Sequence, residues 1–377
     1  MIRTGSGAGL SSYFRTAGWH TSASFRRHLV MGNESADLDS VVSSLTYAYY
    51  LHHRVKNEPI EVLPLINTRS DCLSLKPEIV FWLDEAGVAI EHLIYADSLD
   101  LRDWVGNGQL RLTLVDHNRL SPSQTFLKDS VVEIIDHHCV EEHRFPQLER
   151  CIIEPVGSAA TLVAECILDT MPELLDGGLA KFLLGPILLD TVNLDRSMGR
   201  CHEKDIMIAA RLLAINPLPR GLVFEELKTK KTDVSGLCAE ELLLRDVKTG
   251  TSGDFRFALS VIPIKLKPWV EENPNLLTII EQYRVDMGLD VYLVMAYSLT
   301  PWFSREIIVH AADSEFLSRL FASFLKPLLG LEPLTDFPLP PGGKHRFFFC
   351  TQNNPLISRK KLFPQLMRYL ENAKGTQ

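Results

Sequence analysis

The sequence predicts an α/β protein, with a doubly wound, mainly parallel-sheet first domain and a smaller α+β C-terminal domain built on a mixed sheet. Three observations carry this. The 377 residues, 46% of them hydrophobic, suffice for a sizeable core and for two domains of ordinary size. From about residue 27 to 195, short runs rich in Val, Ile and Leu alternate with polar breaks and stretches of helical periodicity. Most of those runs are too continuous for a sheet with one wet face, which points to strands or core helix segments covered on both sides.

In chain order the apolar runs are HLVM (28–31), VLPLI (62–66), IVFWL (79–83), LTLV (112–115), VVEII (131–135) and PILL (186–189). SVVSSLTYAYYLHH (40–53) and SAATLVAECILDTM (158–171) fit the crossover helices, and 182–189 reads equally well as a buried helix. The composition shifts at NPLPRG (216–221) and LKTKKTD (227–233), which sets the first domain at 25–220, a linker at 221–235 and the second domain at 236–377. In the second domain FRFALSVIPI (255–264), LDVYLVMAYSL (289–299), REIIVHA (305–311) and HRFFFC (345–350) read as strands. Helices are expected at 273–286, 314–328 and 361–373, and the Pro/Gly-rich 335–344 is a loop.

A net charge of −8 argues against broad binding to nucleic acid or an anionic membrane, because both call for a basic face. The seven cysteines include no CxxC pair, as expected of free thiols in a reducing compartment. The longest apolar run, 182–189, is too short to span a bilayer, so a soluble, cytoplasmic protein is expected. Residues 1–24 read as a leader that need not be ordered. The first 33 residues hold four arginines, several serines and no acid, the composition of a mitochondrial transit peptide, so a mitochondrial location is the alternative.

Four runs of the first domain end on acid: HLVMGNESADLDS, LTLVDHN, VEIIDHH and ILLDTVN. In open α/β sheets that edge is where ligands bind, so these residues are expected to converge. A lone Asp after a strand is an ordinary helix cap, but four such endings with histidines beside two of them point to a metal site. Carboxylates with a few imidazoles suit Mg²⁺ or Mn²⁺, and the cluster would repel itself without cations.

NESADLD (33–39), DHN (116–118), DHH (136–138) and LLDTVN (189–194) resemble, in order and spacing, the four motifs of the DHH phosphoesterase superfamily. EPVGSAATLV (154–163), EELLLRDVK (240–248) and SRKK (358–361) are similar to the subfamily whose second domain closes over the site, which holds manganese-type inorganic pyrophosphatases, exopolyphosphatases and prune proteins. The resemblance implies that Asn33, Asp37, Asp39, Asp116, His137 and Asp190 hold two divalent ions, Mg²⁺ or Mn²⁺ with Co²⁺ also accepted, and that Asp116 bridges them. Asp116 and His138 are the expected catalytic pair, with His138 facing the substrate phosphate and Asp136 orienting a neighbouring histidine. Lys248, Ser358, Arg359 and Lys360 are the implied phosphate contacts. Arg69, Lys228, Lys230 and Lys231 are further candidates, the three lysines lying where a longer chain of phosphates would run out. His117 and Asn118 read as evenly functional or structural.

Manganese-type pyrophosphatases carry histidine where this chain has Asn33, and exopolyphosphatases and prune proteins resemble it in having Asn. A carboxamide oxygen is a harder donor than imidazole, so a lean toward Mg²⁺ is expected. The resemblance thus implies an exopolyphosphatase that removes terminal phosphate from short linear polyphosphate. An inorganic pyrophosphatase or a prune-like cyclic-nucleotide phosphodiesterase is the alternative, and a partner-binding protein with incidental hydrolysis is a third reading of another class. The expected partners are polyphosphate or pyrophosphate, with no nucleic acid and no membrane, and protein partners are left open.

Overall fold

The computed structural model describes residues 8–16, 26–56, 58–108, 110–140, 145–298, 302–334 and 346–372. The chain divides into two compact units, Met1–Asp233 and Val234–Gln377. The first holds α1 (Ala8–Thr16), β1 (Arg26–Met31), α2 (Leu38–Arg54), β2 (Ile60–Leu65), α3 (Ser70–Leu73), α4 (Pro77–Glu85), α5 (Leu101–Gly106), β3 (Leu110–Val115), β4 (Val131–Asp136), β5 (Arg150–Ile153), α6 (Ala159–Thr170), α7 (Gly177–Asp190), α8 (Glu203–Ile215) and α9 (Arg220–Thr232). Its five strands lie in the order β2-β1-β3-β4-β5, all parallel. Successive side chains point to opposite faces, so Leu29, Met31, Leu112, Leu114 and Ile134 enter one core while Val30, Val115 and Ile135 enter another. The second core is the larger and takes in α2, α6 and α7, which explains why the strands read as unbroken apolar runs.

Two of the runs that read as strands or core helix segments are helices. In 79–83, Pro77 occupies the first helical turn of α4, and Ile79, Trp82 and Leu83 share one buried face. In 186–189, the run belongs to α7, which is apolar nearly all round because other helices surround it, so no periodicity marks it. Asp176 caps α7 by accepting the Leu179 N–H at 2.8 Å. Pro186 lies inside this helix and has no N–H to offer the carbonyl four residues back, that of Phe182. The indole of Trp82 supplies the missing donor, with Nε1 2.9 Å from the Phe182 oxygen. Gly185 lets the ring approach, since a Cβ there would fall 2.3 Å from Trp82 Cε2.

The stretch expected as a linker, 221–235, is mostly α9, and the two units part at Asp233. Its cationic composition hid a stripe: Val223, Phe224 and Leu227 are buried in the same core as α7. Of the leader, residues 8–16 are helix, with Leu10, Tyr13 and Phe14 buried and the Tyr13 hydroxyl donating to the Val62 carbonyl at 2.6 Å. The remaining leader residues lie outside the described residues, and β5 was not anticipated. Among the described residues no single helix is long and apolar enough to cross a membrane.

The second unit holds α10 (Ala239–Arg245), β6 (Val247–Ser252), β7 (Phe255–Ile262), α11 (Leu266–Glu272), α12 (Leu276–Asp286), β8 (Val291–Ser298), β9 (Ser304–Ala311), α13 (Ser314–Leu320), α14 (Lys326–Leu329), β10 (Leu331–Pro333), β11 (Phe347–Gln352) and α15 (Arg359–Asn372). Its sheet order is β10-β11-β9-β8-β7-β6, antiparallel except for the β7–β8 pair. Residues of α10 to α12 cover one face, and α13 to α15 the other. This is the expected mixed sheet, with β6 and β10 added at its edges.

Trp82→Phe, which leaves the Phe182 carbonyl without a donor, should lower the unfolding free energy by about 1–3 kcal/mol. Gly185→Ala should cost a similar ~1–3 kcal/mol through overpacking. Denaturant melts of the two variants check both values, and wild-type midpoints would remove the lock.

Candidate metal centre

The strand order places β2 and β3 on opposite sides of β1, so the chain changes winding direction between β1 and β3. In such sheets the crevice beyond the strand C-termini opens there. The β1 loop brings Asn33, Asp37 and Asp39 to that point, β3 brings Asp116, and β4 ends on Asp136 with His137 and His138 next.

Asp116 is buried and held in the left-handed region at φ 63°. Its Oδ2 accepts the Asn33 Nδ2–H at 2.7 Å, and its Oδ1 lies 3.1 Å from His137 Nε2. His137 Nδ1 lies 2.9 Å from the Val156 carbonyl and so carries a proton, which turns Nε2 toward Asp116 and toward Asp39 Oδ2 at 3.7 Å. His138 Nδ1 is fixed 2.8 Å from Asp136 Oδ1, so Asp136 orients His138 and leaves Nε2 for a ligand. Asp136 also accepts the backbone N–H groups of His137 (2.7 Å) and His138 (3.2 Å) and the Asn118 Nδ2–H (2.6 Å). Although burial opposes it, these bonds hold the Asp136 carboxyl below its usual range.

Asp39 is anchored at the start of α6. Its Oδ1 accepts from Ser158 Oγ (2.7 Å), Ala160 N (2.9 Å) and Ser43 Oγ (3.1 Å), and its Oδ2 from Ala159 N (2.6 Å). The glycine of EPVGSAAT serves this junction: a Cβ on Gly157 would fall 2.5 Å from Thr191 Cγ2, so the end of α7, where Asp190 is the last residue, lies beside the start of α6. Asp37 is the N-cap of α2, accepting the Ser40 N–H at 3.1 Å. After Asp190 the backbone stays left-handed at Val192, Asn193 and Leu194, with φ 52°, 58° and 64°. Three such residues in a row are costly and mark a turn under constraint.

The electrostatics ask for positive charge. Burial, then Asp39 and Asp37, push the Asp116 carboxyl well above its ordinary range. Burial works to lower the His137 pKa, but the hydrogen bond and charge of Asp116, the charge of Asp39 and the Val156 carbonyl push it up to about 10. Both directions describe one demand, met by protons or by a cation. Asp116, His137 and His138 offer ligand atoms within 4.8 Å of one another, a donor set that can hold a divalent metal. Among the described residues His117 Nε2 and Asn193 Oδ1 are buried and find no hydrogen-bond partner, which a water or ligand would satisfy.

The Asn33 Oδ1 accepts the Ala36 N–H at 3.0 Å, and its Nδ2–H donates to Asp116 Oδ2 at 2.7 Å. Arg69 is exposed and paired with Asp71 at 2.6 Å. Lys228 is 3.2 Å from Glu225, and Lys230 lies 5.6 Å over the Phe81 ring; both, like Lys231, belong to α9. In the second unit Lys248 lies 4.7 Å over the Phe363 ring, and Arg359 is bound to Asp246 through both carboxylate (2.6 Å) and carbonyl (2.8 Å). Ser358 immediately precedes α15, its carbonyl accepting from the Lys361 and Leu362 N–H groups at 3.0 and 2.8 Å, and Lys360 is exposed.

Two family models match, the DHH family N-terminal domain over residues 27–187 and the DHHA2 domain over residues 225–369. Exopolyphosphatase PRUNE1 of Homo sapiens is 35% identical over 350 residues, covering 91% of this chain and 75% of that one. The chain belongs to the DHH phosphoesterase superfamily, in its exopolyphosphatase and prune branch. A Listeria innocua serovar 6a protein named as a manganese-dependent inorganic pyrophosphatase is 25% identical over 266 residues, 70% of this DHH chain and 80% of its own. A solved Methanococcus jannaschii structure assigned to the family II inorganic pyrophosphatases covers 92% of this chain and 99% of its own, with a TM-score of 0.61. At 22% identity it shows that this DHH protein shares that fold.

Because the His137 pKa is raised, its contribution to stability is fully present below about pH 6.5 and is lost as pH climbs through about 10; the raised Asp116 acts in the same direction. The melting temperature of metal-free protein should therefore fall from pH 7 to 10, and Asp116→Asn should flatten that fall. Divalent metal must displace the protons, so calorimetric titration at pH 7 in buffers of different ionisation enthalpy should report proton release. A buffer-independent enthalpy would contradict the shared-proton description.

Proposed function

We propose that this chain is a metal-dependent exopolyphosphatase that removes terminal phosphate from short linear polyphosphate. The observation that carries the proposal is the buried cluster at the β1/β3 crevice, where Asp39 and Asp116 face one imidazole nitrogen of His137. The name of the human relative supplies the substrate class.

In this reading Asp37, Asp39, Asp116, His137 and Asp190 would hold two divalent ions, Mg²⁺, Mn²⁺ or Co²⁺. Bound there, such ions supply Lewis acidity and acidify the attacking water. Asn33 keeps the Asp116 carboxylate turned toward the centre, and the Val156 carbonyl fixes His137 with Nε2 as its ligand nitrogen. Asp136 holds His138 so that Nε2 meets a phosphoryl oxygen. Water attacks the terminal phosphorus, the bridging P–O bond breaks, and the shortened chain leaves with the bridging oxygen. His138 would meet phosphate charge in the first unit; for Lys248, Ser358, Arg359 and Lys360 of the second unit, phosphate contact is what the family resemblance implies, with Arg359 suited to a bidentate hold. Arg359 is drawn to Asp246, so a phosphate competes with that carboxylate. With Asn33 turned to Asp116, the case for Mg²⁺ from an amide ligand loses its basis, and the carboxylate–imidazole set suits Mn²⁺ equally.

The second reading, an inorganic pyrophosphatase, draws on the fold shared with the Methanococcus jannaschii structure. Phosphate release from pyrophosphate, tripolyphosphate and longer chains, and hydrolysis of cyclic AMP, each with Mg²⁺, Mn²⁺ and Co²⁺, separates the readings. Tripolyphosphate should turn over and cyclic AMP should not. Pyrophosphate preferred under every metal would favour the second reading, and metal binding without any phosphate release would leave a binding protein. Asp116→Asn should lower turnover by at least about two orders of magnitude, as loss of a group that sets transition-state charge does.

A further inference from the structure

The loop from β1 to α2 carries Asn33 and Asp37, and its backbone is held in an unfavourable shape. Ala36 has φ 41°, in the left-handed region that a residue with a Cβ seldom adopts. Such a turn persists only when its surroundings over-determine it. From within the segment the Asn33 N–H donates to Ser40 Oγ at 2.6 Å, and the Ala36 N–H to the Asn33 carbonyl at 3.1 Å and its Oδ1 at 3.0 Å. From outside, the Lys76 ammonium donates to the Ser35 carbonyl and to the Ala36 carbonyl, the latter at 3.1 Å.

Lys76 is 7% exposed, and it stands at the N-cap of α4. An ammonium costs free energy in the interior, and the positive end of a helix is the wrong end for it. A methionine would fill a similar volume at no such cost, but it would leave the Ser35 and Ala36 carbonyls without the ammonium's hydrogen bonds. The loop it reaches is also the one that carries Asp37, the N-cap of α2.

We propose that Lys76 is a positioning residue of the metal centre, whose ammonium clamps the Ser35 and Ala36 carbonyls and fixes the left-handed turn that presents Asp37. The inference rests on the reading of Asp37 as a metal ligand. Lys76 touches no substrate; it holds a ligand in place by holding the backbone just before it. Loss of the clamp lets the turn relax, and the centre then has to order Asp37 at the moment of metal binding. The effect therefore falls on metal affinity rather than on the chemistry of the assembled site.

The test is Lys76→Met beside Lys76→Arg and Asp116→Asn, each titrated with Mn²⁺ alone by calorimetry and assayed for phosphate release against metal concentration. Mn²⁺ affinity of Lys76→Met should fall on the order of 10- to 100-fold, as when a residue supporting a metal ligand is removed. At saturating metal its kcat should stay within about threefold of wild type, because the assembled site is unchanged. Lys76→Arg, which keeps the charge and the donors, should recover most of the affinity. Wild-type Mn²⁺ affinity in Lys76→Met, whatever its melting temperature, overturns the proposal. Should Lys76→Met fail to fold, Lys76→Gln carries the same measurement with the same two outcomes. Binding lost in Asp116→Asn but unchanged in the Lys76 variant refutes the role of Lys76 alone, whereas binding retained in both refutes the metal centre as well.

Discussion

Four hydrogen bonds to one carboxylate hold the first unit's chemistry together. Asp39 comes from the first turn of α2, and its donors, Ser158, Ala159 and Ala160 with Ser43, come chiefly from the start of α6. A charge-assisted bond to a backbone N–H at a helix start is strong, and it benefits from the helix's partial positive charge. Through it the loop after β1 is fastened to the segment after β5, although β3 and β4 lie between the two strands. The Val156 carbonyl that orients His137 and the Gly157 on which Thr191 packs belong to the same short segment. The acids and histidine after β1 and β4 and the end of α7 thus share one support, and the support is itself built around a carboxylate.

Much of the first unit was legible because chemistry and periodicity agreed. The acids after β1, β3 and β4 could be found from the apolar runs before them, and the crevice where they meet follows from parallel winding. The acid at 190 closes a helix, a reading its run allowed equally with a strand, because a helix apolar on all sides and a buried strand share one composition. The run at 79–83 had a usable signal in Pro77, outweighed by the β-branched residues beside it.

The pairing of polar groups was not legible. Tyr47 donates to Glu133 at 2.7 Å, Arg150 reaches both at 2.9 and 3.0 Å, and Thr113 links Glu133 to His28 at 3.1 and 2.7 Å. Burial and the Arg111 charge lower the His28 pKa to about 4, so the ring joins this network neutral. Each residue looked like an ordinary strand or helix position, because long-range pairing leaves no trace in local sequence. Asn33 and Lys76 escaped for the same reason. Identity at 33 suggested an oxygen ligand, while the turn at Ala36 decided which end of the amide faces the centre, and nothing in LSLKPEIV announces that its lysine reaches the 35–36 peptide.

The indole of Trp82 has a further role, beyond what it adds to the core. In an α-helix each residue advances 1.5 Å along the axis and turns about 100° around it, so a one-residue slip of α7 would displace the Asp190 carboxylate in both senses. Only at the Gly185–Pro186 step does α7 offer both a gap for the ring and an unmet carbonyl for its N–H. The contact therefore works as a pawl that admits one phase of the helix, and the aim of the carboxylate that ends α7 is set by an aromatic ring a full helical turn away from it.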